Sequence, residues 1–256
     1  MEENKRPTIL VTNDDGITAP GIKFLVEIMQ KFGDVVVVAP DSPQSGMGHA
    51  ITIGKPLRLD KCEVFPGIPC YQSSGTPVDC VKLAVNKILH RQPDLCVSGI
   101  NHGSNSSINV IYSGTMSAAM EGAIEGIPSI GFSHCNYSHD IDFEPIRESI
   151  EQIVSQTLKN GLPKDSLLNV NFPADNNIKG IKICRQAVAK WEEEFEERVD
   201  PTGRKYFWLT GKFTLNDTGT DTDEWALKNN FISVVPVQFD FTAHHAIEPL
   251  NKWVFK

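Results

Sequence analysis

The stretch Thr8-Ile-Leu-Val-Thr-Asn-Asp-Asp-Gly16 joins an almost unbroken apolar run to an acidic turn. A strand apolar on consecutive positions is buried on both faces, as strands are in a parallel sheet covered by helices. Residues 13–16 break that strand. Pro20-Gly21 then open a helical pattern through Phe32, with Ile22, Leu25, Val26 and Met29 on one face. A second apolar strand occupies 35–39 and stops at Pro40-Asp41. Together these make a βαβ unit, and an open parallel sheet binds ligands outside the carboxyl ends of its strands. The fold class predicted is α/β, a Rossmann-like, mostly parallel sheet flanked by helices.

The rest of the chain extends the same alternation. A polar, glycine-rich loop covers 40–54, and short strands are predicted at 57–60, 62–65 and 70–73. A helix capped by Ser74 or Thr76 runs from Pro77 to about His90, with Val81, Ala84, Val85 and Ile88 inward. A buried strand at 94–98 empties into Gly99-Ile-Asn-His-Gly-Ser-Asn105. After the turn Tyr112-Ser-Gly-Thr115 comes a helix at 116–125, whose Ala118, Ala119, Gly122 and Ala123 suit close packing. A strand at 127–133, an amphipathic helix at 143–160 and a strand at 167–172 complete the core.

Beyond about residue 180 the character changes. The acidic run Glu192-Glu-Glu-Phe-Glu-Glu197, a turn near 200–203 and the aromatic run Lys205-Tyr-Phe-Trp-Leu209 predict a projecting hairpin. A lone hairpin is marginal in water, so it is expected to pack on another subunit; a solvated face is the other account of the acidic run. A short helix at 222–230, a strand at 232–237 and a tail follow. The expected division falls at that change, with the α/β body at 1–180. Residues 181–256 then complete the fold and contact other subunits.

Composition narrows the function. With 256 residues, 40% hydrophobic and 22% charged, the chain can bury a core without cross-links. A formal net charge of -8 and no Lys/Arg cluster argue against a nucleic-acid polymer as partner. Cys62, Cys70, Cys80, Cys96, Cys135 and Cys184 lie scattered with no CxxC pair, so reduced thiols are expected, with no disulfide framework and no zinc site. The charged start Met1-Glu-Glu-Asn-Lys-Arg6 predicts no signal peptide, and no window reaches the roughly 20 apolar residues of a membrane span. A cytoplasmic location and no membrane partner are the expectation.

Polar residues gather at the strand ends. Adjacent carboxylates such as Asp14-Asp15 repel each other unless a cation relieves them, though the same letters also make an ordinary turn. Asp and Asn oxygens with a hydroxyl are hard ligands, suited to magnesium or manganese. Ser113-Gly-Thr115 at a helix start offers free N–H groups, two hydroxyls and the positive end of the helix to an anion; simple capping would also explain a Ser there. Neither G-x-x-x-x-G-K-[S/T] nor a G-x-G-x-x-G after the first strand is present.

Several ordered runs now carry a resemblance. Ile9-Leu-Val-Thr-Asn-Asp-Asp-Gly-Ile17, Val38-Ala-Pro-Asp41, Ser45-Gly-Met-Gly-His-Ala-Ile-Thr52, Gly75-Thr-Pro-Val-Asp79, Ser98-Gly-Ile-Asn101 and Tyr112-Ser-Gly-Thr115 resemble SurE, the survival protein family of 5'/3'-nucleotidases. Residues 198–209 and Thr220-Asp-Thr-Asp-Glu-Trp-Ala226 resemble it too, so the likeness covers nearly the whole chain. It implies metal-dependent removal of phosphate from nucleoside 5'-monophosphates, with 3'-monophosphates and short polyphosphate as further substrates. It also implies a cytoplasmic homodimer or homotetramer with exchanging C-terminal elements. The metal ligands carry over onto Asp14, Asp15, Ser45 and Asn101, for one Mg2+ or Mn2+ per subunit. His102 stands where other members often carry different residues, and is taken as a modifier of the pocket.

The chemistry expected is in-line attack of water on phosphorus, assisted by the metal. Catalysis is expected to rest on Asp14 and Asn101, with Asp14 as base or water orienter and Asp15 acting chiefly through the metal. Ser113, Gly114 and Thr115 would hold phosphate oxygens. His49 and His102 are candidate acids for the leaving oxygen, and Asn105 is a candidate pocket residue. The acid pair is adjacent, which argues against a covalent aspartyl-phosphate route of the haloacid-dehalogenase kind. A non-catalytic nucleotide-binding regulator and a purely structural oligomer are the alternatives from other classes.

Overall fold

The computed structural model describes residues 6–138 and 140–255. The run Met1 to Lys5, on which the signal-peptide expectation rests, lies outside them, as does the last residue of the tail.

Strand β1 (Thr8–Thr12) is buried along its length, as its apolar run requires. Its side chains alternate between two cores, with Ile9 and Val11 on one face of the sheet and Leu10 on the other. Helix α1 (Pro20–Met29) starts with Pro in its first turn, where no N–H is missed, and buries Ile22, Leu25, Val26 and Met29. Strands β2 (Asp34–Pro40), β3 (Leu59–Lys61) and β4 (Cys70–Ser73) follow. Helix α2 (Pro77–Leu83) begins with a reciprocal capping box between Thr76 and Asp79 and passes into a wider turn, Ala84–Leu89.

Strand β5 (Leu95–His102) leads through a short 3-10 turn, Ser107–Ile111, into α3 (Gly114–Ile124). Strand β6 (Ser129–His134), α4 (Arg147–Asn160) and β7 (Ser166–Phe172) complete the alternation. Helix α3 lies close on the sheet because Gly122 leaves no side chain there. A Cβ on it would stand 3.0 Å from that of Cys96.

Next come β8 (Ile181–Ile183), β9 (Ala189–Glu192), β10 (Phe195–Val199), β11 (Lys205–Leu209), β12 (Lys212–Leu215), α5 (Asp223–Lys228), β13 (Ile232–Gln238) and α6 (His244–Leu250). The central sheet has nine strands in the order β3-β4-β2-β1-β5-β6-β7-β13-β8. From β4 through β7 every neighbouring pair is parallel; β3 and β13 join antiparallel. Helices α1 and α4 pack on one face, while α2 and α3 pack on the other. The exposed β10–β11 hairpin rises from the β9–β12 ribbon, which Trp191 anchors by donating to Asn109 at 2.9 Å.

Two expectations are corrected. No strand forms at 62–65: Phe65 turns into the core and Pro66-Gly67 reverse the chain. The thiols are not all reduced either, since Cys62 and Cys70 form a disulfide, with Cα atoms 5.4 Å apart. The reason is tertiary. β3 and β4 are antiparallel neighbours, and the Cys62 N–H donates to the Cys70 carbonyl just beyond the ladder. Cys80, Cys96 and Cys184 are buried and free, and Cys135 is free and half-buried.

Candidate active site

Strand order reverses at β1. From there the chain builds outward through β2 on one side and through β5 on the other, so the loops after β1 and β5 diverge and open a crevice. The loop after β1 is rigidly held. Asn13 Nδ2 donates to the Gly16 carbonyl at 2.9 Å, and Gly16 takes a φ of +93°, which suits glycine. The Ile17 N–H reaches the Pro40 carbonyl at 2.9 Å, and the Gln44 N–H reaches that of Asp14 at 2.7 Å.

Asp14 is 4% exposed, and burial pushes its pKa up to about 6, with the Asp15 charge adding to the rise and a hydrogen bond from Thr115 opposing it. Asp15 is half-buried; burial also raises its pKa, against the His102 N–H, which donates to Oδ2 at 3.4 Å. Asn13 Oδ1 beside them is buried without a hydrogen-bond partner, as are the hydroxyls of Thr12 and Ser98, which face one another in the β1–β5 register.

The start of α3 meets this loop directly. Ser113 Oγ accepts the Met116 N–H at 3.0 Å and so serves as the cap. The Thr115 hydroxyl donates to Asp14 Oδ1. Gly114 sits so close that a Cβ there would come within 2.7 Å of Asp14 Cβ. The Thr115 O–H is therefore committed to Asp14, whereas Ser113 only accepts, so the Ser113 O–H and the first-turn N–H groups of Gly114 and Thr115 are what the helix end offers an anion.

The other predicted residues divide. Asn101, half-buried at the end of β5, donates through Nδ2 to the Gly103 carbonyl at 2.8 Å, which orients its amide oxygen. Ser45 is exposed on loop 41–50, one residue past the Gln44 tether. Asn105 is locked into a buried amide network: its N–H donates to Asn171 Oδ1 and its Nδ2 to Ser133 Oγ, while its carbonyl accepts from Asn169. His49 turns to Glu121, with Nε2 and Oε2 2.9 Å apart.

Supporting acids escaped sequence reasoning. Buried Asp223 accepts the N–H groups of Ser107 (2.8 Å) and Ala187 (2.9 Å), while Glu224 accepts the Ser106 hydroxyl; together they fix the segment leading into α3. Their signals in the sequence were the cap-like Thr222-Asp223-Glu224 pattern and the resemblance of the run 220–226, neither of which showed what they hold. Glu121, inside a helical repeat, gave no signal.

Among the described residues no group of three or more His, Cys, Asp and Glu gathers to hold a metal. Asp14, Asp15, Ser45 and Asn101 include only two such side chains, so this set would complete itself with neutral oxygens. The acid pair suits a hard cation, because two crowded carboxyls with raised pKa values and an orphaned amide oxygen share one crevice.

Fold and site thus define a doubly wound α/β protein with an acidic, anion-ready crevice at its switch point. The model of the family "Survival protein SurE" matches residues 9–193. The chain belongs to the SurE survival-protein family. It is 64% identical over 253 residues to the 5'-nucleotidase SurE of Christiangramia forsetii, with 97% of each chain covered. Against the 5'-nucleotidase SurE of Bacteroides thetaiotaomicron it is 47% identical over 250 residues, covering 97% of this chain and 96% of the other. The crystal structure of the SurE protein from Aquifex aeolicus superposes with a TM-score of 0.83 at 41% identity, covering 96% of this chain and 98% of that one. Among the described residues no helix is long and apolar enough to cross a membrane.

Proposed function

We propose that this chain hydrolyses nucleoside 5'-monophosphates to nucleoside and phosphate, with 3'-monophosphates and short polyphosphate as further substrates. Family membership makes it an enzyme of the nucleotidase, or phosphomonoesterase, class. The observation that carries the mechanism is the contact between the acid pair and the first turn of α3, through Thr115 to Asp14 and through the bare Gly114.

A single Mg2+ or Mn2+, held by Asp14, Asp15, Ser45 and Asn101, would supply Lewis-acid stabilisation of charge on the phosphoryl oxygens. The Ser113 hydroxyl and the N–H groups of Gly114 and Thr115 bind the remaining phosphoryl oxygens and strengthen their hold as charge redistributes. A water oxygen attacks phosphorus, its proton passes to Asp14, and the ester P–O bond breaks on the opposite side. Asp14 is the carboxylate placed for that role, buried at the start of the loop after β1 with the Thr115 hydroxyl fixing its Oδ1. The leaving nucleoside oxygen takes a proton from His102 or from solvent. The backbone N–H of His102 donates to Asp15 Oδ2, and its ring stands 6.1 Å from that of Phe143.

Residues 1–180 serve as the catalytic body. Residues 181–256 complete it and join a homodimer or homotetramer through the exposed Phe195, Phe207, Trp208 and Leu209 of the hairpin and Trp253 and Phe255 of the tail. The experiment is a metal-by-substrate screen of 5'- and 3'-nucleoside monophosphates, polyphosphate and an aryl phosphate, with Asp14→Asn as control. Phosphate release by the wild type alone is expected. Equal rates for the two proteins would make the acid pair irrelevant, and no release at all would leave a binding protein.

A further inference from the structure

Loop 41–50 carries Ser45 but has little packing of its own: Asp41, Ser42, Pro43, Ser45, Gly46 and Met47 are all exposed. What holds it is polar. The Gln44 N–H donates to the Asp14 carbonyl at 2.7 Å, and the Gly48 N–H to the Tyr112 carbonyl at 3.2 Å. Beyond these, Thr76 Oγ1 donates to the Ala50 carbonyl at 2.7 Å. Among the described residues, His49 is the one side chain of the loop that hydrogen-bonds to the body of the protein, at Glu121.

Glu121 is a costly residue at its position. It lies two turns beyond Gly114 on the same face of α3, about 10 Å along the axis, and is 2% exposed. Lys82 Nζ, reaching over from α2, stands 2.5 Å from Oε1, and His49 Nε2 stands 2.9 Å from Oε2. Burial alone would raise its pKa, but these two partners outweigh burial and hold the carboxyl below its ordinary value. A brace between α2 and α3 needs only the lysine, and an apolar pair would brace them as well. The second carboxylate oxygen is spent on the loop.

We infer that Glu121 is a positioning residue for the reaction: through His49 it straps loop 41–50 over the first two turns of α3 and so sets where Ser45 stands relative to Asp14. His49 acts here as the buckle of the strap, held by Glu121. The inference rests on the function proposed above for its catalytic consequence, but not for its structural one.

The test is amide hydrogen exchange at Gln44 and Gly48, read beside kcat and KM. His49→Ala is expected to speed exchange at both amides about tenfold while leaving the β1 amides unchanged, and to lower kcat/KM by a similar factor. His49→Gln, which keeps an N–H donor, should recover most of both effects. Glu121→Gln combined with His49→Ala should be no worse than the poorer single variant, because the two residues act as one link. Should Glu121→Gln fail to fold, the partly exposed His49 pair still decides. Unchanged exchange at Gln44 and Gly48 in His49→Ala overturns the inference whatever the activity. A wild type that releases no phosphate overturns the function instead, and exchange then judges the strap alone.

Discussion

The Thr115 hydroxyl donates a hydrogen bond to Asp14 Oδ1, joining the first turn of α3 to the loop after β1 across 101 positions of sequence. The link opposes the rise that burial imposes on the Asp14 pKa and fixes the carboxylate beside the helix end. Thr115→Val keeps the shape and removes the donor. It should cost roughly 1.5–3 kcal/mol of stability by denaturant unfolding and move the acidic limb of the kcat/KM profile to higher pH. Thr115→Ser should restore both; an unmoved limb would show that the hydroxyl does not tune Asp14.

Asp14 itself makes the metal-free protein sensitive to pH. Burial first, then the Asp15 charge, lift its pKa from 3.8 to about 6, so the folded chain holds that proton more tightly than the unfolded one. The resulting stability is fully present below pH 3.8 and is lost as pH rises through about 6, for a total on the order of 3 kcal/mol. Asp14→Asn should therefore match the wild type near pH 4 and melt several degrees higher at pH 7 with chelator present, while losing activity by about 10²–10³-fold with metal. Calorimetry across that range checks it; a pH-independent difference would refute the desolvated carboxyl.

Gly114→Ala places a methyl 2.7 Å from Asp14 Cβ and 2.8 Å from its Oδ2. The Cβ cannot swing aside as a flexible tip would, so either the acid pair or α3 must shift. A loss of roughly a hundredfold in kcat/KM is expected, with a far smaller change in Tm. Wild-type kinetics in this variant would mean that the contact has no catalytic weight.

Replacing residues 194–210 by Gly-Gly removes the hairpin and leaves the β9–β12 ribbon, whose ladder runs from Glu192↔Lys212 to Ala189↔Leu215. The excised strands are exposed throughout, so the core should keep its circular-dichroism spectrum. Self-association should weaken by at least about tenfold in light scattering. An unaltered assembly would assign the contact to some other surface.

The Cys62–Cys70 bond closes a short loop beside β4. Alkylation of the unfolded, unreduced protein should label four cysteines, and six after reduction. Cys62→Ser with Cys70→Ser should lower stability by roughly 2–3 kcal/mol and leave the catalytic rate unchanged. Six labels without reductant would show that the chain carries no such bond.

The sequence by itself determined the parallel α/β core. Nine buried strand positions in 8–12 and 35–38 are apolar or Thr on consecutive residues, and only a sheet covered on both faces can accept them. It also marked Asp14-Asp15 and Ser113-Gly-Thr115 as strand-end or helix-start polarity, because local chemistry suffices to see a broken strand and a cap. What the tertiary structure decided is which distant groups share a contact. Thr115 meets Asp14, Cys62 meets Cys70, Asn105 turns into an amide network, and Glu121 takes hold of His49. None of these follows from periodicity, since each depends on strand order and on the register between elements far apart in the chain. The acidic turn was legible from its neighbours alone; its partners appear only once the sheet brings the loops after β1 and β5 and the start of α3 to one edge.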